Sequence, residues 1–173
     1  SYPGKSIGTF AYSETTQPPD IDVADNVSIT LTAAGNYMKK LTDPTDPGNA
    51  GIMANLNGWL NKTENVHFWA HYWTTGMDSC LTPYARTVIE AFSELKALGF
   101  KGICGETRPP YWPSQRLFFY ALARAGWDNS LSFDDILDDY CNEAYGPAAS
   151  AMKSYYLLYE SRIYANVPSL SIN

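Results

Sequence analysis

No apolar run in this chain approaches the length of a membrane span, and there is no basic patch. Lysine and arginine number 12 against 18 aspartates and glutamates, giving a net charge of −6 and a pI near 4.8. That balance excludes the electrostatic footprint of a nucleic-acid binder. Cysteine is scarce: Cys80, Cys104 and Cys141 are too few and too scattered for a disulfide scaffold or a zinc site. One pair can bridge, but the spacing does not say which. There are only two histidines, no internal repeat and no low-complexity tract. The first residue is Ser1, not methionine, so we expect either a processed N-terminus or a part of something longer.

What is present describes a folded domain. A chain of 173 residues, 45% hydrophobic and only 17% charged, can bury a real core. Aromatics reach 14%, with thirteen tyrosines and five tryptophans. Such a content suits a sugar-stacking surface and suits a tyrosine-rich packing helix equally. Asn26-Val-Ser and Asn61-Lys-Thr match the N-glycosylation pattern, which matters only in a secreting eukaryote.

Along the chain, Lys5–Tyr12 reads as a first strand and Val27–Leu31 as a second, with a polar loop holding Pro18-Pro19 between them. A long connection follows, in which Asp43-Pro44 and Asp46-Pro47 read as turns. Ile52–Leu60 is expected to be a short helix with Met53, Leu56, Trp59 and Leu60 on one face. Asn65–Trp73 is an aromatic third strand. Thr82–Leu98 is the clearest helix, with Thr82 as cap, Pro83 at its first position, and Val88, Ala91, Phe92, Leu95 and Leu98 at helical spacing. Strand, helix and strand from Asn65 to Gly105 form one βαβ unit, which implies parallel strands. Three helices are expected after that: Ser114–Ala125, Ser132–Ala144 with a Ser132/Asp135 capping box, and Pro147–Tyr164 with a packing stripe of Met152, Tyr155, Tyr156, Tyr159 and Ile163. Four parallel strands with open edges make half of something. The simplest completion is four more strands, in the same polypeptide or in another chain.

The stretch from Leu98 to Trp112 organises the rest. Gly99 stops the helix, and Lys101–Gly105 is a short strand covered on both faces. Glu106 stands where that strand ends, and Arg108, Tyr111 and Trp112 follow on a proline-stiffened loop. Chemistry in parallel α/β folds sits at the carboxyl ends of strands. A bland reading stays open beside it, with Glu106 capping the next helix or pairing with Arg108.

In the last third, Trp127-Asp128, Asp134-Asp135 and Tyr145-Gly-Pro-Ala-Ala149 occur in an order and spacing that resemble a bacterial glycoside-hydrolase-like barrel family. That family is a domain of unknown function, distantly related to α-glucuronidases and hexosaminidases. IGTFAYSETTQPPD, Asn26-Val27, HFWAHYW and GFKGICGET resemble its earlier segments, so the likeness runs from about Pro3 to Glu160. The resemblance implies an α/β fold: the C-terminal half of a TIM-type (β/α)8 barrel, with about four parallel strands, followed by a helical C-terminal segment. Residues 1–113 would hold the half-barrel, 114–164 the C-terminal helices packed on it, and 165–173 a tail. It also implies a secreted, periplasmic or cell-surface protein. The chain departs from the family where an aspartate often follows the strand tryptophan; here Ala70 and His71 stand. A glutamate often follows the second strand, where Ala33-Ala34-Gly35 stands, and the last acidic residue is shifted by one to Glu106. Several rim carboxylates are thus lost or moved.

Glycoside hydrolysis usually needs two carboxyl groups. Glu106 is the first candidate, Glu14 beyond the first strand the second, and Asp78 after the aromatic strand the third; Glu14 and Asp78 also read as solvated loop residues. His67 and His71 share a strand face, and His71 can hydrogen-bond a sugar hydroxyl or serve as a core histidine satisfied by backbone. Tyr72, Trp73, Tyr111 and Trp112 are candidates for a stacking platform, whereas Trp69 is expected in the core. Arg108 can hold a uronate carboxylate bidentately or pair with Glu106. No metal or cofactor is implied. The expected function is carboxylate acid/base hydrolysis of a polysaccharide or uronic-acid-containing glycan. The alternatives are a non-catalytic carbohydrate-binding module and a self-assembling one, completed by a second copy of the chain.

Overall fold

The computed structural model describes residues 3–33, 35–71, 81–106 and 112–167. Strands β1 (Ile7–Ala11), β2 (Val27–Ala33), β3 (Val66–His71) and β4 (Gly102–Glu106) form one all-parallel sheet in the order β1-β2-β3-β4. Helix α1 (Pro47–Leu60) lies between β2 and β3, and α2 (Ala85–Leu98) between β3 and β4. Three further helices follow: α3 (Trp112–Trp127), α4 (Phe133–Tyr145) and α5 (Ala149–Asn166). As expected, β1 and β2 are joined without a crossover helix; the connection holds only a single 3-10 turn at Ser13–Thr15.

Strand alternation decides which face is buried. Ala11, Leu31, Phe68 and Ile103 lie in one register row. With Ile29 and Val66 they meet Leu56 and Trp59 of α1, Val88, Phe92 and Leu95 of α2, and Phe118 of α3 in the hydrophobic core. The adjacent row is Phe10, Thr30, His67 and Gly102. None of its residues belongs to that core, and Phe10 is 53% exposed. The sheet is therefore buried on its helix face and open on the other. This corrects the expectation that β4 is covered on both faces: Cys104 on the open face is exposed.

The strands are also staggered. The row through Ile7 runs to Val27 and continues, by the same register, to Glu64 and Gly99. β1 begins on that row, β3 two residues above it and β4 three residues above it.

The helix boundaries differ from the expected ones for identifiable reasons. α1 begins at Pro47, not Ile52. The Asp46 carboxylate accepts a hydrogen bond from the Asn49 N–H at 3.0 Å and Pro47 takes the first helical position, so a pair that reads as a turn is a helix start. α2 begins at Ala85, not Thr82. Tyr84 is 1% exposed, stacked with Tyr37 at 5.2 Å and edge-on to Phe118 at 5.5 Å, and the helix starts only after this anchor. Leu98 is 43% exposed, and Ile89 joins the buried face of α2 in its place. Gly99 caps the helix as expected, at φ 111°. Ser132 and Asp135 form the expected capping box. The tyrosine stripe of α5 is only half a packing surface. Tyr156 and Met152 pack on the core, and the Tyr159 hydroxyl donates to the Leu81 carbonyl at 3.0 Å, but Tyr155 is 50% exposed.

Arg86 of α2 ties the terminal helices to the body. Its guanidinium donates to Glu160 of α5 at 3.1 Å and to Asp134 of α4 at 2.9 Å, and lies 4.7 Å from the centre of the Phe133 ring. Burial opposes the charge on Arg86, but its two carboxylate partners outweigh it and hold the guanidinium ionised. Burial pushes the Glu160 carboxyl above its ordinary value, and Arg86 only partly offsets this. Arg86→Ala is expected to cost roughly 2 to 4 kcal/mol at neutral pH, because Glu160 is left half-buried without its cation. A carboxyl whose folded pKa is raised favours the protonated folded state. The deficit should therefore shrink as pH falls from neutral through the Glu160 pKa, read by thermal unfolding of both proteins across that range.

Candidate active-site rim

The carboxyl ends of the four strands define one rim of the sheet. β3 ends at His71 and β4 at Glu106, and these two residues are register partners. Neighbouring strands run about 4.8 Å apart, so the two backbones meet side by side at the sheet's end. Each is in phase with open-face residues of its own strand: His71 with His67 and Trp69, Glu106 with Gly102 and Cys104. Glu106 is the last residue of β4 and not the first beyond it.

The other two candidate carboxylates are not brought to this pair. Glu14 lies in the 3-10 turn after β1, at the far edge of the sheet. Three strand spacings separate its strand from β4, roughly 14 Å of unclosed sheet. Hydrogen bonds from its own backbone N–H and from Ser13 hold the Glu14 carboxyl below its ordinary value, so this exposed group suits an ionised role and not a proton donor. Asp78, Arg108, Tyr72, Trp73 and Tyr111 lie outside the described residues. Trp112 opens α3, immediately after that rim segment.

Two features of the open face escape the sequence reading. Trp69 belongs to this face and not to the core. Its ring meets Phe10 edge-on with centroids 4.9 Å apart, and its indole N–H is buried with no partner. An aromatic pair with an unused donor is a surface that can take an apolar ring face and one acceptor. Cys104 carries a free thiol on the same face, its pKa raised by burial. Cys141 is a second free thiol, buried in α4. Strand phase carried the signal for Trp69, since it alternates with Val66 and Phe68; its bulk argued for the core and was misleading.

The rim beside β2 is held by a buried polar knot. The Asn49 side-chain oxygen accepts from the Asn36 N–H at 2.9 Å, and its amide donates to the carbonyls of Asn36 at 3.2 Å and Lys40 at 3.1 Å. The Asn36 amide donates to the Asp46 carboxylate at 2.9 Å. Asn49, on the first turn of α1, thus fixes the whole connection that leaves β2. A Cβ on Gly35 would sit 2.6 Å from the Asn49 side-chain oxygen, so this position excludes any larger residue, a glutamate included. The cavities outlined by described residues lie elsewhere. One of about 370 Å³ sits at the base of β4, and a polar one of about 450 Å³ lies where α1 leads into β3.

The described residues form a mixed α/β fold on a four-stranded parallel sheet, the class of folds whose sites form at strand ends. Within that class the chain belongs to the DUF4838 family, a domain of unknown function, whose model matches residues 1–157. Neither the curated proteins nor the solved structures yield a match to this chain. No described helix is long and apolar enough to cross a membrane.

Asn49→Ala would take the side-chain acceptor from the Asn36 N–H and one of two donors from the carbonyls of Asn36 and Lys40, which keep the N–H groups of Lys39 and Asp43, at a cost of about 1 to 3 kcal/mol. The denaturant midpoint should fall accordingly, with little change in slope.

Proposed function

We propose that this chain is a carbohydrate-active module, half of a glycosidase-like (β/α)8 barrel, acting on a polysaccharide or uronic-acid-containing glycan. The observation that carries the reading is the register pairing of His71 with Glu106 at the carboxyl rim. A glutamate and a histidine ending adjacent strands are residue types suited to proton transfer at a glycosidic oxygen. Phe10 and Trp69 supply the aromatic surface against which a pyranose C–H face packs, and the unpartnered indole N–H offers a donor to a hydroxyl. Arg108, two residues along the chain from Glu106, is the natural partner for a uronate. A secreted, periplasmic or cell-surface location fits a polymeric substrate.

The second carboxylate decides between turnover and binding. Paired carboxyls in glycosidases lie about 5 to 9.5 Å apart, less than the roughly 14 Å between the β1 and β4 ends of this sheet. Asp78 and the completing half of the barrel are the remaining sources. A non-catalytic carbohydrate-binding role is the second reading, favoured by the distance of Glu14 from β4 across the sheet.

A panel of neutral and uronic-acid polysaccharides separates the two, with release of reducing ends and retardation in affinity gels measured together. Glu106→Gln is expected to lower turnover by about 10²- to 10⁴-fold while binding persists. Trp69→Ala should weaken both. Binding without turnover in the unaltered protein supports the binding module. No interaction with any glycan would defeat both readings.

A further inference from the structure

We propose that the last turns of α5, residues 158–166, are a clasp that releases from α2 by itself while the rest of the fold stays intact, and that it holds more firmly in acid than at neutral pH. The proposal is independent of the glycosidase reading and is tested without any substrate.

The first support is how α5 is attached. Helices α2 and α4 each bury a stripe of residues, whereas α5 buries none. Ala149, Met152, Tyr156 and Leu157 pack on the core, and among the described residues none further along α5 joins them. The tertiary hydrogen bonds that follow converge on residues 81–87. The Tyr159 hydroxyl donates to the Leu81 carbonyl at 3.0 Å, and Arg86 donates to Glu160 at 3.1 Å. The Thr87 hydroxyl donates to the Tyr37 carbonyl at 2.6 Å, so the Tyr164 hydroxyl is the donor in its 3.1 Å bond to Thr87. A cavity of about 20 Å³ lies in the seam, lined in part by Ala85, Leu117, Tyr159 and Glu160. A segment with few apolar contacts and an imperfectly filled seam opens locally at lower cost than the core. Leu81 ends the connection that leaves β3, and Tyr37 lies in the one that leaves β2, so the clasp bears on both at the carboxyl rim.

The second support is the charge at the seam. Three carboxylates converge on the Arg86 guanidinium: Asp134 at 2.9 Å, Glu160 at 3.1 Å and Glu90 at 3.9 Å. Glu90 belongs to α2 and Asp134 to α4, so Glu160 alone arrives with the clasp. It is also the most enclosed, its side chain 16% exposed against 37% for Glu90 and 60% for Asp134. Docking thus takes a carboxylate out of water toward a cation that two others already share. The charged and titratable groups facing it are Arg86, Glu90, Asp134 and Tyr164. Burial outweighs Arg86 and pushes the Glu160 carboxyl above its ordinary value, while Arg86 holds Asp134 below its own. Glu160 therefore takes up its proton first as pH falls. A carboxyl whose pKa is raised by docking stabilises the docked state below its ordinary pKa, and that contribution is lost as pH rises through the raised value.

Amide hydrogen exchange of the 173-residue protein, read as protection after correction for the intrinsic rate, tests both parts. Residues 158–166 should open at lower cost than α4. Their protection relative to α4 should fall as pH is raised from about 4.5 to about 7.5. Glu160→Gln keeps the shape of the side chain and removes its charge, so that fall should vanish. Tyr159→Phe and Tyr164→Phe each remove one hydroxyl and keep the ring, and each should lower the protection of residues 158–166 about fivefold at both pH values. If these residues open only together with α4, or if neither hydroxyl matters, α5 is an ordinary part of the core and the clasp is refuted. Protection that does not fall with rising pH, or that falls as much in Glu160→Gln, overturns the assignment of the acid response to Glu160.

Discussion

One register row, Ala11-Leu31-Phe68-Ile103, is the constraint on which the rest depends. Its burial against α1, α2 and α3 fixes the phase of every strand, since a slip of one residue would turn Phe10, His67 and Trp69 into the helix layer. Fixing the phase also fixes what is left over. All described helices that pack the core lie on one face, so the open face carries whatever the other phase encodes: a phenylalanine, an indole with an unused N–H, a histidine and a thiol. An all-parallel sheet is normally covered on both faces. One that is not calls for either a closed interior or a partner.

The same packing dictates the rim. The connection after β2 is a dozen residues anchored by the buried side chains of Tyr37 and Met38 and tied down by Asn49, whose three side-chain hydrogen bonds are made entirely to backbone. That arrangement needs Gly35 to be small, because its missing Cβ is where the Asn49 side chain sits. At Gly35, a carboxylate is excluded by how this loop is tied down. What remains at the rim is concentrated at β3 and β4, where His71 and Glu106 end adjacent strands.

Much of this order was legible in the sequence, and the failures are instructive. Four strands, the βαβ unit, the glycine stop at Gly99 and the Ser132 capping box follow from local chemistry that tertiary context does not override. Thr82-Pro83 has the same local credentials as a helix start, yet the helix waits for Tyr84, because burying that ring between Tyr37 and Phe118 outweighs a surface cap. Asp46-Pro47 failed in the other direction: the pair fits a turn and a helix start equally, and only the Asn49 knot behind it decides. Trp69 was assigned by size when phase was the better guide. The end of β4 was legible as a place, but a constellation of side chains there was not. Which residues converge depends on sheet order and stagger, and neither is written in any single segment.

Chemistry at the rim turns on what surrounds Glu106. A general acid at neutral pH needs a raised pKa, which an apolar neighbour and exclusion of solvent supply. β4 is an edge of the described sheet, with β3 on one side. On the proposed glycosidase reading, the strand that completes the sheet beside β4 would supply both the neighbour and the exclusion of water. The indole N–H of Trp69, buried without a partner, is a second cost that an added acceptor would relieve.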